Sequence, residues 1–213
     1  MNAGKNMLIS ASLLGLFAIV GTALVAFTNE TTTEQVAANQ SAYTLSQLHQ
    51  IISPKALDND LEHDTIQVTD PLLGSNKPMT VYRARKNGKP VAAIIEAIAP
   101  DGYSGQIAML VGIRTDGSLL GVRVTDHHET PGLGDNIDIR KSNWILQFNN
   151  LSLNNPKPAN WKVKRDGGAI DQITSATISS RAVTKAVYHA LEYFKAHRQL
   201  LFSKPTVQSR GNS

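Results

Sequence analysis

Three side-chain hydroxyls, Thr174, Ser175 and Thr177, crowd the run Asp171-Gln172-Ile173-Thr174-Ser175-Ala176-Thr177, and an amphipathic pattern begins directly behind it. Two chemistries suit hydroxyls in that place. The commoner is capping, in which a Ser or Thr oxygen accepts a hydrogen bond from a backbone N–H that the first helical turn leaves unpaired. The rarer is anion binding, because the same N–H groups and the positive end of the helix dipole favour a phosphate. A second cluster is His127-His128-Glu129-Thr130-Pro131-Gly132-Leu133-Gly134. His-His-Glu invites a metal, but adjacent residues on a strand or loop point in different directions and no further His or Asp cluster accompanies them. As a loop it offers something else: Gly132 and Gly134 let backbone approach a flat ligand closely, with the Thr130 hydroxyl beside it. A third Gly-rich turn, Asp101-Gly102-Tyr103-Ser104-Gly105, presents an aromatic that could stack on a ring or cover a sheet edge.

Several chemistries are excluded. The chain of 213 residues has no cysteine, so it holds no disulfide, no thiolate metal site and no iron–sulfur cluster on its own side chains. Any redox role therefore needs another cofactor. There is no Gly-x-Ser-x-Gly elbow, phosphate-binding Walker loop or dinucleotide fingerprint. The net charge of +4 is spread along the chain, without a basic run interleaved with aromatics, which argues against nucleic acid as a partner.

These residues must be positioned by the elements around them. Residues 7–27, MLISASLLGLFAIVGTALVAF, carry no charge. At ~1.5 Å per residue they make roughly 31 Å of helix, the thickness of a bilayer core. A cleaved signal would have a shorter apolar region ending in a small-x-small site; here Leu24 stands two before Ala26. The expectation is an uncleaved transmembrane anchor. Lys5 and the amino terminus precede it and Glu30 and Glu34 follow it, which places residues 1–6 in the cytoplasm and exports the rest. Beyond the anchor roughly 185 residues remain, enough for one domain with a substantial core.

Within 28–53, Leu45, Leu48 and Ile52 predict a juxtamembrane helix leading to Pro54. Thr80–Lys86 and Pro90–Ile98 form a hairpin across Asn87-Gly88; Gln106–Ile113 and Ser118–Thr125 form another across Asp116-Gly117. The runs VAAIIEAI and IAMLVGI read as strands covered on both faces. A helix is predicted over Ile139–Asn149, a short strand over Trp161–Lys164, then a turn at Asp166-Gly167-Gly168. The final helix, Ser179 to about Leu200, carries Ala182, Val183, Ala186, Val187, Ala190, Leu191 and Phe194 on one stripe. Residues 203–213 read as a polar, mobile tail. The sum is an α+β domain over 54–202, an antiparallel or mixed sheet with flanking helices, preceded by one transmembrane helix.

The hydroxyl-rich run closely resembles the Asp-x-x-[Ser/Thr]-Gly-Ala-Thr motif on which bacterial flavin transferases install FMN through a phosphoester to the last threonine. The order of segments is similar throughout to the G subunit of the Rnf (Rsx) ion-translocating electron-transport complex. It comprises the anchor, VAAIIEAIAPDGYSGQIAMLVGI, VTDHHETPGLGD, WKVKRDGGAIDQITSATIS and a terminal helix. The C subunit of the sodium-translocating NADH:quinone reductase shares the FMN domain, but is usually longer and ranks second. The resemblance implies an inner-membrane complex that couples electron transfer, of the ferredoxin/NAD type, to ion movement. In it this subunit presents covalent FMN on the periplasmic side without stand-alone catalysis. It implies FMN on Thr177, within Asp171, Thr174, Ser175 and Ala176, and a loop of Glu129, Thr130, Gly132, Leu133 and Gly134 near the flavin. The implied partners are the other subunits, a maturing flavin transferase and the lipid bilayer. One departure stands out: Ser175 occupies the usual glycine position. If that position needs φ > 0, serine carries a steric cost, and a flavin-free anchored scaffold becomes the alternative.

Overall fold

The computed structural model describes residues 3–203. The expected tail lies outside the described residues except for Ser203, as do Met1 and Asn2 of the expected cytoplasmic segment. The chain divides into two compact units, Met1–Thr44 and Leu45–Ser213.

Helix α1 runs Ala3–Ile51. The apolar span and the helix expected after it are therefore one element, which stops at Ile51 before Pro54. Its segment Met7–Thr28 is long and apolar enough to cross a membrane, and none of it is buried. Thr22 and Thr28 donate their hydroxyls back to the carbonyls of Ala18 and Leu24, both at 2.8 Å. Neither threonine thus presents an unpaired hydroxyl to an apolar surround.

The second unit is built on an open five-stranded antiparallel sheet: β1 (Thr65–Asp70), β2 (Ser75–Lys86), β3 (Lys89–Gly102), β4 (Gly105–Arg114) and β5 (Leu119–Asp126), in that spatial order. Both predicted hairpins are present, with Lys86 opposite Lys89 and Ile113 opposite Leu119. One strand goes beyond the sequence expectation: β1 adds an edge, pairing Ile66 with Val81. The Gly-rich turn expected at 101–105 joins β3 to β4 as a tight hairpin, with Gly102 opposite Gly105.

Strand alternation sends side chains to two different cores. Ala93, Ile95 and Ala97 of β3, with Ile107, Met109, Val111 and Ile113 of β4, meet the stripe of α2 (Thr177–Ser203), whose seven predicted apolar residues are all buried. Ala92 and Ile94 of β3, with Leu110 of β4, turn to the other face, which Leu48, Ile51 and Ile52 close. This double cover is why both strands read as continuous apolar runs. Each fully buried Ile or Leu stabilises the fold by about 1.5–3 kcal/mol relative to exposure. Arg123 of β5 fixes the end of α1 by donating to the carbonyl of Gln50 (3.0 Å) and to its side-chain oxygen (3.2 Å).

At the sheet's edge, Asp64 accepts from the buried guanidinium of Arg83 and from Arg85 Nε (2.7 Å), and Asn59 donates to it at 3.1 Å. Asn59 also donates to the carbonyl of Arg83 (2.8 Å) and accepts from Arg85 N (2.7 Å).

Two predicted elements are corrected. The helix over Ile139–Asn149 is a six-residue 3-10 helix, Asn143–Phe148, started by Ser142, whose oxygen accepts from Trp144 N (3.1 Å). Tight 3-10 winding eclipses positions three apart, which puts Ile145 and Phe148 together into the core. The strand over Trp161–Lys164 is a single bridge, Val163 to Ile170, because the Asp166–Gly168 turn folds the chain back immediately. A row of ring contacts runs from Trp144 to Phe148, Trp161 and Tyr188, the last on α2. It ties this irregular stretch to the helix.

Candidate functional site

The first turn of α2 opens onto a cavity of about 440 Å³. A ligand site of this size is typical for small molecules and cofactors. One wall is the loop behind β5, with Glu129, Thr130, Leu133 and Gly134; the floor is Thr174, Ser175, Ala176 and Thr177. Two loops separated by some forty residues of chain thus meet because β5 and α2 lie in one packed body. A smaller cavity of about 270 Å³ lies by Asp116, Leu153, Leu191 and Arg198 and contains none of the residues named from sequence.

Glu129 ties the cavity together. Its buried carboxylate accepts the backbone N–H of Ser104 through Oε1 (3.1 Å) and the hydroxyl of Ser179 through Oε2. Two glycines make room for it. A Cβ on Gly102 would stand 2.9 Å from Glu129 Oε1, and one on Gly134 would stand 2.8 Å from Oε2, closer than real side chains pack. Three segments, the β3–β4 turn, the loop after β5 and the first turn of α2, therefore converge on one carboxylate.

The floor is held by Ser180. Its hydroxyl accepts Ile173 N–H (3.0 Å) and donates to the Ala176 carbonyl (2.9 Å), while Ala176 N–H bonds to Ile173 O (3.0 Å). The Thr174-Ser175 turn is thereby locked against α2. Among the described residues, the only non-glycine residues with positive φ are Asn87 and Asn150. Ser175 thus avoids the left-handed region, and its side chain carries no backbone strain.

Thr177 is half-buried at the first position of α2. Arg165 Nη1 reaches its Oγ1 at 3.4 Å. That arginine sits in a turn fixed on both sides: its own N–H donates to Gln172 Oε1 (3.2 Å), and Asp166 takes two hydrogen bonds from Arg181 of α2, each 2.6 Å. The Arg181 guanidinium holds the Asp166 carboxyl below its usual range. The mouth of α2 thus combines a cation, N–H groups free by the geometry of any helix start, and an accessible hydroxyl, a donor set suited to a phosphate.

Eight of the ten residues named from sequence line this cavity, and Asp171 and Gly132 do not. Asp171 faces solvent and pairs with Lys164 Nζ (2.6 Å), while its backbone is anchored by Trp144 Nε1 (2.6 Å) and Gln147 Oε1 (2.8 Å). Gly132 contributes only its turn, with φ +74°. Arg165, Ile178 and Ser179 also line the cavity, and no motif marks them. Arg165 is hidden in the ordinary-looking run Lys162-Val163-Lys164-Arg165, and Ser179 passes for one more capping hydroxyl. Tyr103, recognisable in sequence as able to stack, lines it too. The His127-His128-Glu129 cluster does not converge: His127 Nδ1 accepts Glu129 N–H (3.2 Å) and the carboxylate turns away. Among the described residues no group of three or more His, Asp or Glu could hold a metal ion.

Residues 102–192 match the FMN-binding domain family, a segment that starts at the β3–β4 turn and encloses the whole cavity. Residues 1–51 match the RnfG N-terminal region. The G subunit of the ion-translocating oxidoreductase complex of Vibrio cholerae O395 is 48% identical over 201 residues, covering 94% of each chain. That of Pseudoalteromonas atlantica is 47% identical over 200 residues, 93% of this chain and 91% of its own. The Shewanella loihica protein of the same name is 46% identical over 202 residues, 94% and 95% respectively. With similarity of this depth along nearly its whole length, the chain belongs to the family of G subunits of ion-translocating oxidoreductase complexes.

Proposed function

We propose that this chain is a membrane-anchored electron-carrier subunit that holds FMN covalently, through a phosphoester to Thr177 Oγ1. The observation that carries the reading is the placement of Thr177: first residue of α2, hydroxyl beside Arg165, at the edge of a cavity. The residues fit the group. The helix start and Arg165 suit the phosphate, and the cavity is of the right class for a ring system. The ester would form as Thr177 Oγ1 gives up its proton to a base of the flavin transferase and bonds the phosphorus of a flavin pyrophosphate donor, while the P–O–P bond of that donor breaks and a nucleoside monophosphate leaves. Bound there, FMN supplies the electron-transfer chemistry that a chain without cysteine lacks.

The remaining roles belong to the protein. Ser180 and Ile173 keep the Thr174–Ala176 turn in one conformation, so that Thr177 is offered to the transferase in a fixed frame. Asp171, exposed beside Lys164 and outside the cavity, suits recognition by that enzyme better than contact with the flavin. Thr130 and Leu133 wall the cavity opposite the attachment point, and Gly132 shapes the turn that carries them.

The span Met7–Thr28 anchors the subunit in the inner membrane, with residues 1–6 in the cytoplasm and the body over 54–202 in the periplasm. The chain has no motif for NAD, so its flavin exchanges electrons with neighbouring subunits, and the assembled complex couples that transfer to ion movement. The test is in-gel ultraviolet fluorescence of fully denatured protein co-expressed with a flavin transferase. A fluorescent band in the parent that vanishes in Thr177→Ala is expected. A dark parent lane, with the transferase active on another substrate, overturns the reading.

A further inference from the structure

We infer that Tyr103 is the residue on which the cofactor's flat ring stacks, and that Leu133 and Ile178 complete an apolar slot around it. The inference rests on the FMN reading above. Apart from the apolar span, the exposed large hydrophobic side chains among the described residues are Tyr103 (67%), Leu133 (43%), Ile178 (46%) and Leu200 (43%). Three of these four line the one cavity beside Thr177. Singly scattered apolar residues are ordinary on a protein surface, whereas a cluster rimmed by polar groups marks a binding surface. The rim here is Arg165, Thr130 and the hydroxyls of the α2 start.

The shape of the patch selects its occupant. Tyr103 stands at the tip of the β3–β4 turn, two-thirds exposed, and among the described residues no ring of the protein stacks against it. Ile178 follows Thr177 directly in the chain, so a group tethered to Thr177 begins its path at the apolar slot. An exposed aromatic that shares a cavity with a tether point and two branched aliphatic side chains fits a planar ring in offset contact.

The wall is also held at a set distance. Ser104 N–H is fixed to Glu129 Oε1, and Ser179, two residues beyond Thr177, is fixed to Oε2. One carboxylate therefore spaces the aromatic wall from the attachment point. Glu129 is a positioning residue in this arrangement, and Tyr103 is the one that touches the ring.

The experiment uses the full chain in detergent, co-expressed with a flavin transferase, as parent, Tyr103→Ala and Tyr103→Phe. Covalent loading is read from the denaturing gel. Ring contact is read from native flavin emission, relative to the same sample unfolded, and from the visible circular dichroism of the flavin. Contact with an electron-rich phenol quenches flavin emission. The expected result is equal loading, a rise of at least about twofold in native emission in the alanine variant as the stacked phenol is removed, and loss of the visible dichroic band. Phenylalanine retains that band. Equal loading with unchanged emission and dichroism in Tyr103→Ala overturns the inference alone, and assigns the patch to a partner's apolar surface. A parent without a flavin band overturns the covalent reading and this one together. Should the alanine variant load poorly, the phenylalanine variant decides: a rise in native emission with the dichroic band kept upholds the inference, because the ring remains while the electron-rich phenol is gone, and emission unchanged from the parent, or loss of loading in this variant too, overturns it.

Discussion

Asp64, where the segment before β1 meets β2, and Glu129, in the loop behind β5, are both nearly closed to solvent, yet they are satisfied by different means. Asp64 is held by cations, Arg83 and Arg85, with Asn59 completing the network. Among the described residues no ion pair reaches Glu129; a backbone N–H and a hydroxyl hold it, at the positive end of α2. A buried charge is tolerated only when it is paired and fully hydrogen-bonded. The Asp64 cluster pairs its charges internally and seals an edge of the sheet, although among the described residues the buried Arg83 Nε makes no hydrogen bond. Glu129 leaves its charge facing a cavity whose lining cation, Arg165, points at Thr177 instead. The difference separates a region whose charges pair with one another from one whose buried carboxylate is held by neutral donors beside an open cavity.

The comparison is open to attack by substitution. Asp64→Ala leaves the fully buried Arg83 guanidinium without its carboxylate and should cost about 3–5 kcal/mol in urea unfolding of the second unit. Asp64→Asn should recover little of that, since an amide cannot neutralise two guanidinium groups. Glu129→Ala orphans a hydroxyl and an N–H but no charge, so the expected cost is smaller, about 1–3 kcal/mol. Glu129→Gln should be close to neutral in the same measurement, its oxygen taking the Ser104 N–H and its amide facing the Ser179 oxygen. If the two amide substitutions cost the same, the contrast between the regions is wrong.

The smallest expected effect is a titration. Burial pushes the Asp138 carboxyl up, but hydrogen bonds from the Arg140 side chain and backbone outweigh it and leave the group below its ordinary 3.8. A depressed carboxyl stabilises the fold at pH values above that ordinary value and loses the contribution as pH falls through the depressed one. The urea midpoint should therefore drop below about pH 3.8 by less in Asp138→Asn than in the parent.

Much of the frame was legible because local chemistry and global packing agree. Asn87-Gly88 and Asp116-Gly117 sit between β-rich runs and became hairpin turns. The α2 stripe kept its 3.6-residue period and faced the core throughout. The edge strand β1 is invisible in sequence because Ile66 is its only buried residue, so an alternating signal barely exists. Ile139–Asn149 misleads because Ile139, Trp144, Ile145 and Phe148 mimic an α-helical face, while Ser142 and the Asn149-Asn150 pair limit the segment to two 3-10 turns. At the site, the hydroxyl run and the Glu129–Gly134 loop are readable separately. Their meeting is not, since it depends on Glu129 bridging residues twenty-five positions before it and fifty after. Ser175 reads as a departure with a steric penalty in reserve, and its backbone conformation removes that penalty.

The end of α1 has a consequence for where this protein can be cut. The similarity to the RnfG N-terminal region runs through Ile51, whereas the compact unit begins at Leu45. The residues between belong by similarity to that N-terminal region and by packing to the second unit: Leu48 and Ile51 plug one face of the sheet, and Arg123 grips the carbonyl of Gln50. Proteolysis upstream of Leu45 leaves a body with both sheet faces clothed. A cut after Ile52 strips one of them, uncovering Tyr82, Ile94 and Leu110 and inviting those fragments to stick to one another. The last turns of α1 are thus the first piece of the packed body.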